Sequence, residues 1–88
     1  MDITKYASSG TLESSDAYVE IEPSENGIKI ELESVVYKQF GENIKKVAGE
    51  VLSDMNVKNA TLRITDKGAL ECVIRARIET AVLRGGEN

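Results

Sequence analysis

Two adjacent serines offer the clearest chemistry in this 88-residue chain. Ser14 and Ser15 lie between the carboxylates of Glu13 and Asp16, in a small polar stretch that cannot build a core. A serine that acts as a hydrolytic nucleophile needs a base and an oxyanion hole, and the chain contains no histidine to serve as the base. Ser14 is therefore better interpreted as an acceptor hydroxyl that another protein's active site modifies.

The stretch around these serines resembles a known modification segment. Residues 10–16, with the sequence GTLESSD, are similar to that segment in the citrate lyase acyl carrier proteins, the small gamma subunits of that enzyme. The resemblance continues in one order through Lys38-Gln39-Phe40-Gly41, Asn56-Val57, Asp66-Lys67-Gly68-Ala69-Leu70 and Arg75-Ala76-Arg77. It implies that the chain is a non-catalytic carrier and that Ser14, rather than Ser15, is the attachment site. The family often has glycine where Ser15 stands.

The resemblance also implies a cofactor and partners. Ser14 would bear a 2'-(5''-phosphoribosyl)-3'-dephospho-coenzyme A arm through a phosphodiester, and the thiol of the arm would carry acetyl and citryl groups as thioesters. The alpha subunit would exchange the acetyl group for citrate and release acetate. The beta subunit would cleave the citryl thioester to oxaloacetate and regenerate the acetyl thioester. A prosthetic-group transferase and an acetylating ligase would be further partners. The related carrier of malonate decarboxylase, which uses the same kind of arm, is an alternative.

Composition predicts one small soluble domain. Hydrophobic residues make up 41% of the chain and charged residues 30%, which suits a globular fold. The net charge of −4 disfavours binding to nucleic acid. We expect no membrane partner, because no apolar run approaches the length of a membrane span. The N-terminus lacks the regions of a signal peptide, so a cytoplasmic location is expected.

Hydrophobic periodicity predicts three strands and one helix. Alternation indicates strands at residues 17–22, 28–33 and 60–65. The turn signal at residues 23–27 predicts that the first two strands form an antiparallel hairpin. Apolar residues at spacings of three and four predict one amphipathic helix before the third strand. Its stripe is Phe40, Ile44, Val47, Ala48, Val51, Leu52 and Met55.

Residues 69–84 fit either a strand or a helix. The tight turn signal of residues 66–68 favours a strand over about residues 69–79. The expected fold is then α+β in the order ββαββ, with one helix packed on a small four-stranded mixed sheet and a flexible N-terminal loop. We expect residues 1–16 to form a flexible segment, which residue physics alone would interpret as a frayed tail. Residues 17–84 would form a single carrier domain and residues 85–88 a frayed tail.

The sequence favours structural roles for the other reactive side chains. The glutamates at positions 20, 22, 31 and 33 lack the spacing of metal ligands. Cys72, the only cysteine, is expected in the core. Arg63, Arg75 and Arg77 would form a basic patch, or pair with Glu71 or Glu79, if the last two strands are neighbours. The glycines at 85 and 86 resemble those of β-grasp sulfur carriers, a further alternative, but they are not terminal.

Overall fold

The computed structural model describes residues 1–86 of the chain. Its helices and strands are β1 (Ala7–Gly10), β2 (Ala17–Glu22), β3 (Ile28–Ser34), α1 (Tyr37–Asp54), β4 (Ala60–Asp66) and α2 (Glu71–Gly85). The class is α+β with a four-stranded mixed sheet, as predicted. The order is βββαβα, however, and not ββαββ. Among the residues described, no helix is long and apolar enough to cross a membrane.

The sheet has the strand order β1-β2-β4-β3. β4 pairs antiparallel with β2 and parallel with β3, so the predicted hairpin of β2 and β3 is wrong. The connection at residues 23–27 is long enough for this arrangement. Five residues reach up to about 17 Å, whereas strands on either side of a third lie about 10 Å apart. At the end of the connection, the carbonyl of Gly27 accepts a hydrogen bond from the amide of Ala60 (3.1 Å), where β4 begins.

The first helix, α1, joins the parallel strands β3 and β4 and has the predicted apolar stripe. Its buried apolar residues are Ile44, Val47, Ala48, Val51 and Leu52. Phe40 does not belong to this stripe, because 53% of its surface is exposed. Gly41 lies inside the helix, where an added Cβ would come within 2.9 Å of the Tyr37 ring. Asn56, the predicted stop, has a positive φ of 57° just beyond the helix.

The second helix, α2, replaces the strand predicted at residues 69–79. Ile74 and Ile78 are buried at helical spacing, whereas Cys72 and Ala76 are exposed. A strand would have placed all four side chains on one face. The prediction of a core position for Cys72 is therefore also wrong.

The fourth strand of the sheet is β1, which lies in the segment predicted to be flexible. Ala7 and Ser9 face the core and pair with Ile21 and Val19 of β2. The strand is too short to show a clear alternation in the sequence. The residues that the sequence predicted to be a loop thus include part of the sheet.

The N-terminal residues also pack against the end of α2. Ile3 is buried, and the amides of Thr4 and Lys5 donate hydrogen bonds to the carbonyl of Gly85 (2.9 and 3.3 Å). The predicted boundary at residue 16 therefore does not separate the tail from the folded domain. Gly85 is the last residue of α2 rather than part of a tail, and positions 87 and 88 lie outside the described residues.

One aliphatic core holds these elements together. Both helices contribute to it, together with the inward face of the sheet, while the opposite sheet face is polar. The largest fully buried apolar side chains are Ile21, Leu52, Leu62, Ile64, Ile78, Val19 and Val82. Gly10 pairs with Tyr18, and Ala17 pairs with Asp66, so β1 ends, β2 begins and β4 ends at one edge of the molecule. The serines of residues 14 and 15 lie at that edge.

Candidate functional site

Ser14 lies at the tip of the loop of residues 11–16 between β1 and β2, which we call the serine loop. The tip is a four-residue turn in which the amide of Asp16 donates to the carbonyl of Glu13 (3.2 Å). Ser15, the third residue of this turn, has a φ of 65°. A positive φ at that position is typical of type II turns and favours glycine. The backbone at position 15 would therefore accept glycine at no conformational cost.

The hydroxyl of Ser14 is available for chemistry. The residue is exposed, and its hydroxyl has no hydrogen-bond partner within residues 1–86. In the same part of the chain, no histidine, cysteine or carboxylate cluster forms a metal site. The hydroxyl of Ser14 is therefore open to a partner molecule.

Asp16 closes the serine loop through an ion pair with α2. Arg77 donates from Nε to Oδ1 of Asp16 (3.0 Å) and from Nη2 to Oδ2 (2.8 Å). This two-point contact, which we call the Asp16–Arg77 clamp, joins residues 61 positions apart. Parallel hydrogen bonds between arginine and carboxylate restrict orientation as well as distance. The clamp therefore fixes the start of β2 relative to α2.

Further hydrogen bonds converge on the same carboxylate. Thr11 donates its hydroxyl to Oδ2 of Asp16 (2.7 Å), and the amide of Ala17 donates to Oδ1 (2.7 Å). The hydroxyl of Thr11 also accepts a hydrogen bond from the amide of Glu13 (3.2 Å). Arg77, followed by the hydroxyl of Thr11 and the amide of Ala17, holds the pKa of Asp16 far below its usual range. Asp16 in turn raises the pKa of Arg77.

The backbone of the serine loop is tied to the connection between β4 and α2. The amide of Ser15 donates to the carbonyl of Lys67, and the amide of Lys67 donates to the carbonyl of Asp16, both at 2.9 Å. The buried carboxylate of Asp66 shapes this connection by accepting hydrogen bonds from the amides of Gly68 (3.2 Å) and Ala69 (2.9 Å). Residues 66–68 therefore turn the chain into a helix, not into the strand that the sequence predicted.

Gly10 permits the close approach of the serine loop to α2. Its φ is 94°, and an added Cβ would lie 1.9 Å from the carbonyl oxygen of Ala17 and 3.1 Å from Cδ of Arg77. No side chain fits between these atoms. The sequence patterns did not predict which residues hold the serine loop in place. These are Gly10, Thr11, Lys67 and Arg77. The sequence singled out Arg77 by its place in a matched motif and in a predicted basic patch, but neither signal pointed to Asp16.

The structure separates the three arginines of the predicted basic patch. Arg63 on β4 donates from both terminal nitrogens to the carboxylate of Glu22 (3.2 Å each), on the polar face of the sheet. Arg75 on α2 contacts Glu50 (2.9 Å) and Glu71 (3.5 Å). The prediction of a basic patch is therefore wrong. Arg75 and Arg77 lie on a helix and not on a strand beside Arg63, and each of the three arginines pairs with a different carboxylate. Pairing of an arginine with Glu71 does occur, but along α2 and not across strands.

Fold and site together define a small α+β domain, in which a compact body presents exposed serine hydroxyls on a loop that is held at its end. Comparisons with known proteins agree. The family model described as malonate decarboxylase delta subunit (MdcD) matches residues 4–85. The citrate lyase acyl carrier protein of Clostridium perfringens is 56% identical over 88 residues, which cover 99% of this chain and 87% of that protein. That of Treponema denticola is 51% identical over 87 residues, covering 99% of each chain.

The fold also has a counterpart among solved structures. A chain in the crystal structure of a Pseudomonas malonate decarboxylase hetero-tetramer in complex with malonate superposes with a TM-score of 0.83. The sequence identity is 22%, and the match covers 96% of this chain and 87% of that one. On the sequence relationships above, the chain belongs to the family of citrate lyase acyl carrier proteins, as the resemblance of residues 10–16 indicated. Its role is that of an acyl carrier and not of an enzyme.

Proposed function

We propose that this chain is the acyl carrier subunit of a citrate lyase complex and that Ser14 is its attachment site. The observation that carries the proposal is the exposed, unpartnered hydroxyl of Ser14 on a fixed turn, within a motif that resembles the family's modification segment. Relatives that are 51% to 56% identical and are named citrate lyase acyl carrier protein support the choice of complex. A cytoplasmic location remains part of the proposal.

The charges around Ser14 fit a phosphodiester-linked arm. From the sequence alone, Glu13 and Asp16 would repel a phosphate donor. In the structure, the guanidinium of Arg77 neutralises Asp16, and Lys67 follows the buried end of β4 beside the serine loop. Glu13 is the remaining carboxylate of the loop, so the ion pair removes one of the two repulsive charges beside Ser14.

The proposed group is 2'-(5''-phosphoribosyl)-3'-dephospho-coenzyme A. When attached, it supplies a thiol that holds acyl groups as thioesters, and the protein supplies position and delivery. Ser14 would hold the arm at the edge of the molecule, away from the core. Tethering also replaces diffusion by a local concentration that reaches about the millimolar range when the tether matches the span between sites. The proposed partners are the alpha and beta subunits, a prosthetic-group transferase and an acetylating ligase.

Mass spectrometry after coexpression with the modifying enzymes tests the attachment site. We expect the wild-type chain to gain the mass of one arm and the Ser14→Ala variant to gain nothing. Ser15→Ala is the matched control, because it removes the neighbouring hydroxyl, and it should be modified like the wild type. A mass gain that persists in Ser14→Ala, or disappears only in Ser15→Ala, would contradict the assignment.

A carrier role in malonate decarboxylase is the second candidate. The description of the matching family model and the similarity in fold to a chain of the Pseudomonas hetero-tetramer favour it. The higher identity to carriers named for citrate lyase favours the first candidate. Affinity purification of the chain from its native host would decide between them. We expect lyase subunits to co-purify, and the recovery of decarboxylase subunits would overturn this preference.

A further inference from the structure

Two neighbouring serines raise a question of selectivity. Ser14 and Ser15 are both exposed, carry the same hydroxyl and share the same flanking carboxylates. In a mobile loop, a modifying enzyme would meet two nearly equivalent acceptors. In the structure the two residues differ in backbone conformation, since Ser15 has a φ of 65° and Ser14 is not among the residues with positive φ. Their side chains therefore leave the turn in different directions.

The turn is held by contacts from elsewhere in the fold. A residue with a Cβ adopts positive φ at a cost, so the sequence of the turn does not by itself favour this conformation. Arg77 donates two hydrogen bonds to the carboxylate of Asp16, the last residue of the turn. The backbone of Lys67 accepts a hydrogen bond from the amide of Ser15 and donates one to the carbonyl of Asp16. The clamp depends on the identity of two side chains, as does the hydrogen bond from Thr11 to Asp16, but the clamp alone ties the turn to α2.

We propose that Arg77 is a positioning residue that selects Ser14 over Ser15 for attachment of the arm. It acts through Asp16, by keeping the serine loop in the one conformation that presents Ser14 to the modifying enzyme. The inference rests on the attachment proposed above and adds the residue that determines which hydroxyl reacts. In the step concerned, Oγ of Ser14 bonds to the phosphorus of an anhydride-activated donor. The anhydride bond at that phosphorus breaks, and the phosphate or pyrophosphate on its far side leaves with the bonding electron pair. The attacked phosphorus stays on Ser14 as the phosphodiester, and the serine proton passes to the modifying enzyme.

The test compares variants of Arg77 in a loading reaction with the purified modifying enzyme. Arg77→Met keeps the length and apolar part of the side chain but removes the clamp. We expect its initial loading rate to fall about ten- to hundredfold, because small displacements of a reacting group have effects of this size. Fragment mass spectra should show part of the product on Ser15. Arg77→Lys, which retains the charge but not the two-point geometry, should lie between Arg77→Met and the wild type.

Arg75→Met is the matched control. Arg75 lies on the same helix two residues earlier and contacts Glu50 and Glu71, not the serine loop. We expect its loading rate and its product on Ser14 to equal those of the wild type. Thermal unfolding of every variant shows whether it is folded at the assay temperature. If Arg77→Met is unfolded there, Asp16→Asn replaces it in the same comparison, since an amide keeps the size of the side chain and removes its charge.

A rescue variant separates positioning from a general structural role. Glycine at position 15 favours the positive φ that the clamp otherwise maintains. Adding Ser15→Gly to Arg77→Met should therefore restore most of the loading rate at Ser14. Wild-type loading of Ser14 alone in Arg77→Met, or a failure of glycine to restore the rate, would overturn the inference. A wild-type chain that takes up no arm at Ser14 would instead overturn the proposed function and, with it, the selection argued here.

Discussion

At the scale of single residues, Asp16 is the most connected member of the site. Its carboxylate accepts hydrogen bonds from Arg77, Thr11 and the amide of Ala17. The carboxylate lies two residues from Ser14, so it belongs to the site without being an acceptor for the arm. The sequence shows Asp16 as one of two acidic neighbours of the serines. It does not show the partner, because Arg77 is 61 positions away.

The clamp makes the stability of the fold depend on pH. Because Arg77 lowers the pKa of Asp16 in the folded state, the stabilisation is present above the pKa of an unfolded aspartate, about 4, and is lost as pH falls below it. We expect the melting temperature of the wild type to exceed that of Asp16→Asn at pH 7. The difference should shrink steadily below about pH 4. A difference between the two melting curves that stays constant from pH 7 to pH 2 would contradict this account.

Gly10 should tolerate no side chain. Alanine there would adopt a φ of 94° and bring its Cβ to 1.9 Å from the carbonyl oxygen of Ala17. We expect Gly10→Ala to lower the free energy of unfolding by at least about 2 kcal/mol, as measured by denaturant titration.

A second glycine provides the control for Gly10→Ala. Gly49 lies within α1, and a Cβ added there would meet nothing within 4 Å. Gly49→Ala should therefore raise the free energy of unfolding by up to about 1 kcal/mol, because alanine is the better helix former. Equal effects of the two substitutions would mean that the close approach at Gly10 is not required.

At the scale of elements, the sequence predicted the helices and strands whose apolar residues recur at a regular spacing. The strands of residues 17–22, 28–33 and 60–65 occur as expected, as does the amphipathic helix before the third of them. Their apolar residues repeat over several positions. Residues 69–79 misled because Ile74 and Ile78, four apart, lie on one face of either a helix or a strand. The small residues Cys72 and Ala76 stand at alternate positions with them and so completed a strand-like pattern. Only packing shows that Cys72 and Ala76 face outward. β1 was missed since its inward residues, Ala7 and Ser9, carry little apolar surface.

The apolar stripe of α1 gives a direct test of this packing. Leu52 is 1% exposed in the core, whereas Phe40 is 53% exposed near the start of the same helix. Leu52→Ala should cost about 2–5 kcal/mol, because it leaves a cavity among close-packed neighbours. Phe40→Ala should cost less than about 1 kcal/mol, although it removes the larger side chain. Denaturant titration of the two variants would contradict the structure if their costs were reversed.

At the scale of the whole molecule, the two ends of the described chain hold each other. The amide of Thr4 contacts the carbonyl of Gly85, and the N-terminal amino group donates to the carbonyl of Asn56 (2.9 Å). Ile3 and Ile21 flank Gly85, where an added Cβ would meet them at 3.3 and 3.1 Å. Close packing thus explains why position 85 holds a glycine. From the sequence, Gly85 had resembled the glycines of sulfur carriers. Such contacts between distant segments were beyond the reach of local sequence patterns.

The same long-range contacts change the interpretation of the serine loop. Its composition predicted a flexible tail, but a sheet strand precedes it, another follows it, and α2 clamps its end. The serine loop is therefore best described as part of the folded body, held by contacts from elsewhere in the fold. On the proposed attachment at Ser14, the reach between partner active sites would come from the arm itself and from movement of the whole subunit, and not from a flexible N-terminal segment.

The central claim is that Ser14 holds the arm in the working protein. The most direct measurement is a peptide mass map of the chain purified from its native host within its active complex. We expect the peptide that contains residues 11–16 to carry one phosphodiester-linked coenzyme A-type adduct, with fragment ions placing it on Ser14. An active complex whose carrier bears no adduct on Ser14, or bears it on another residue, would contradict the account.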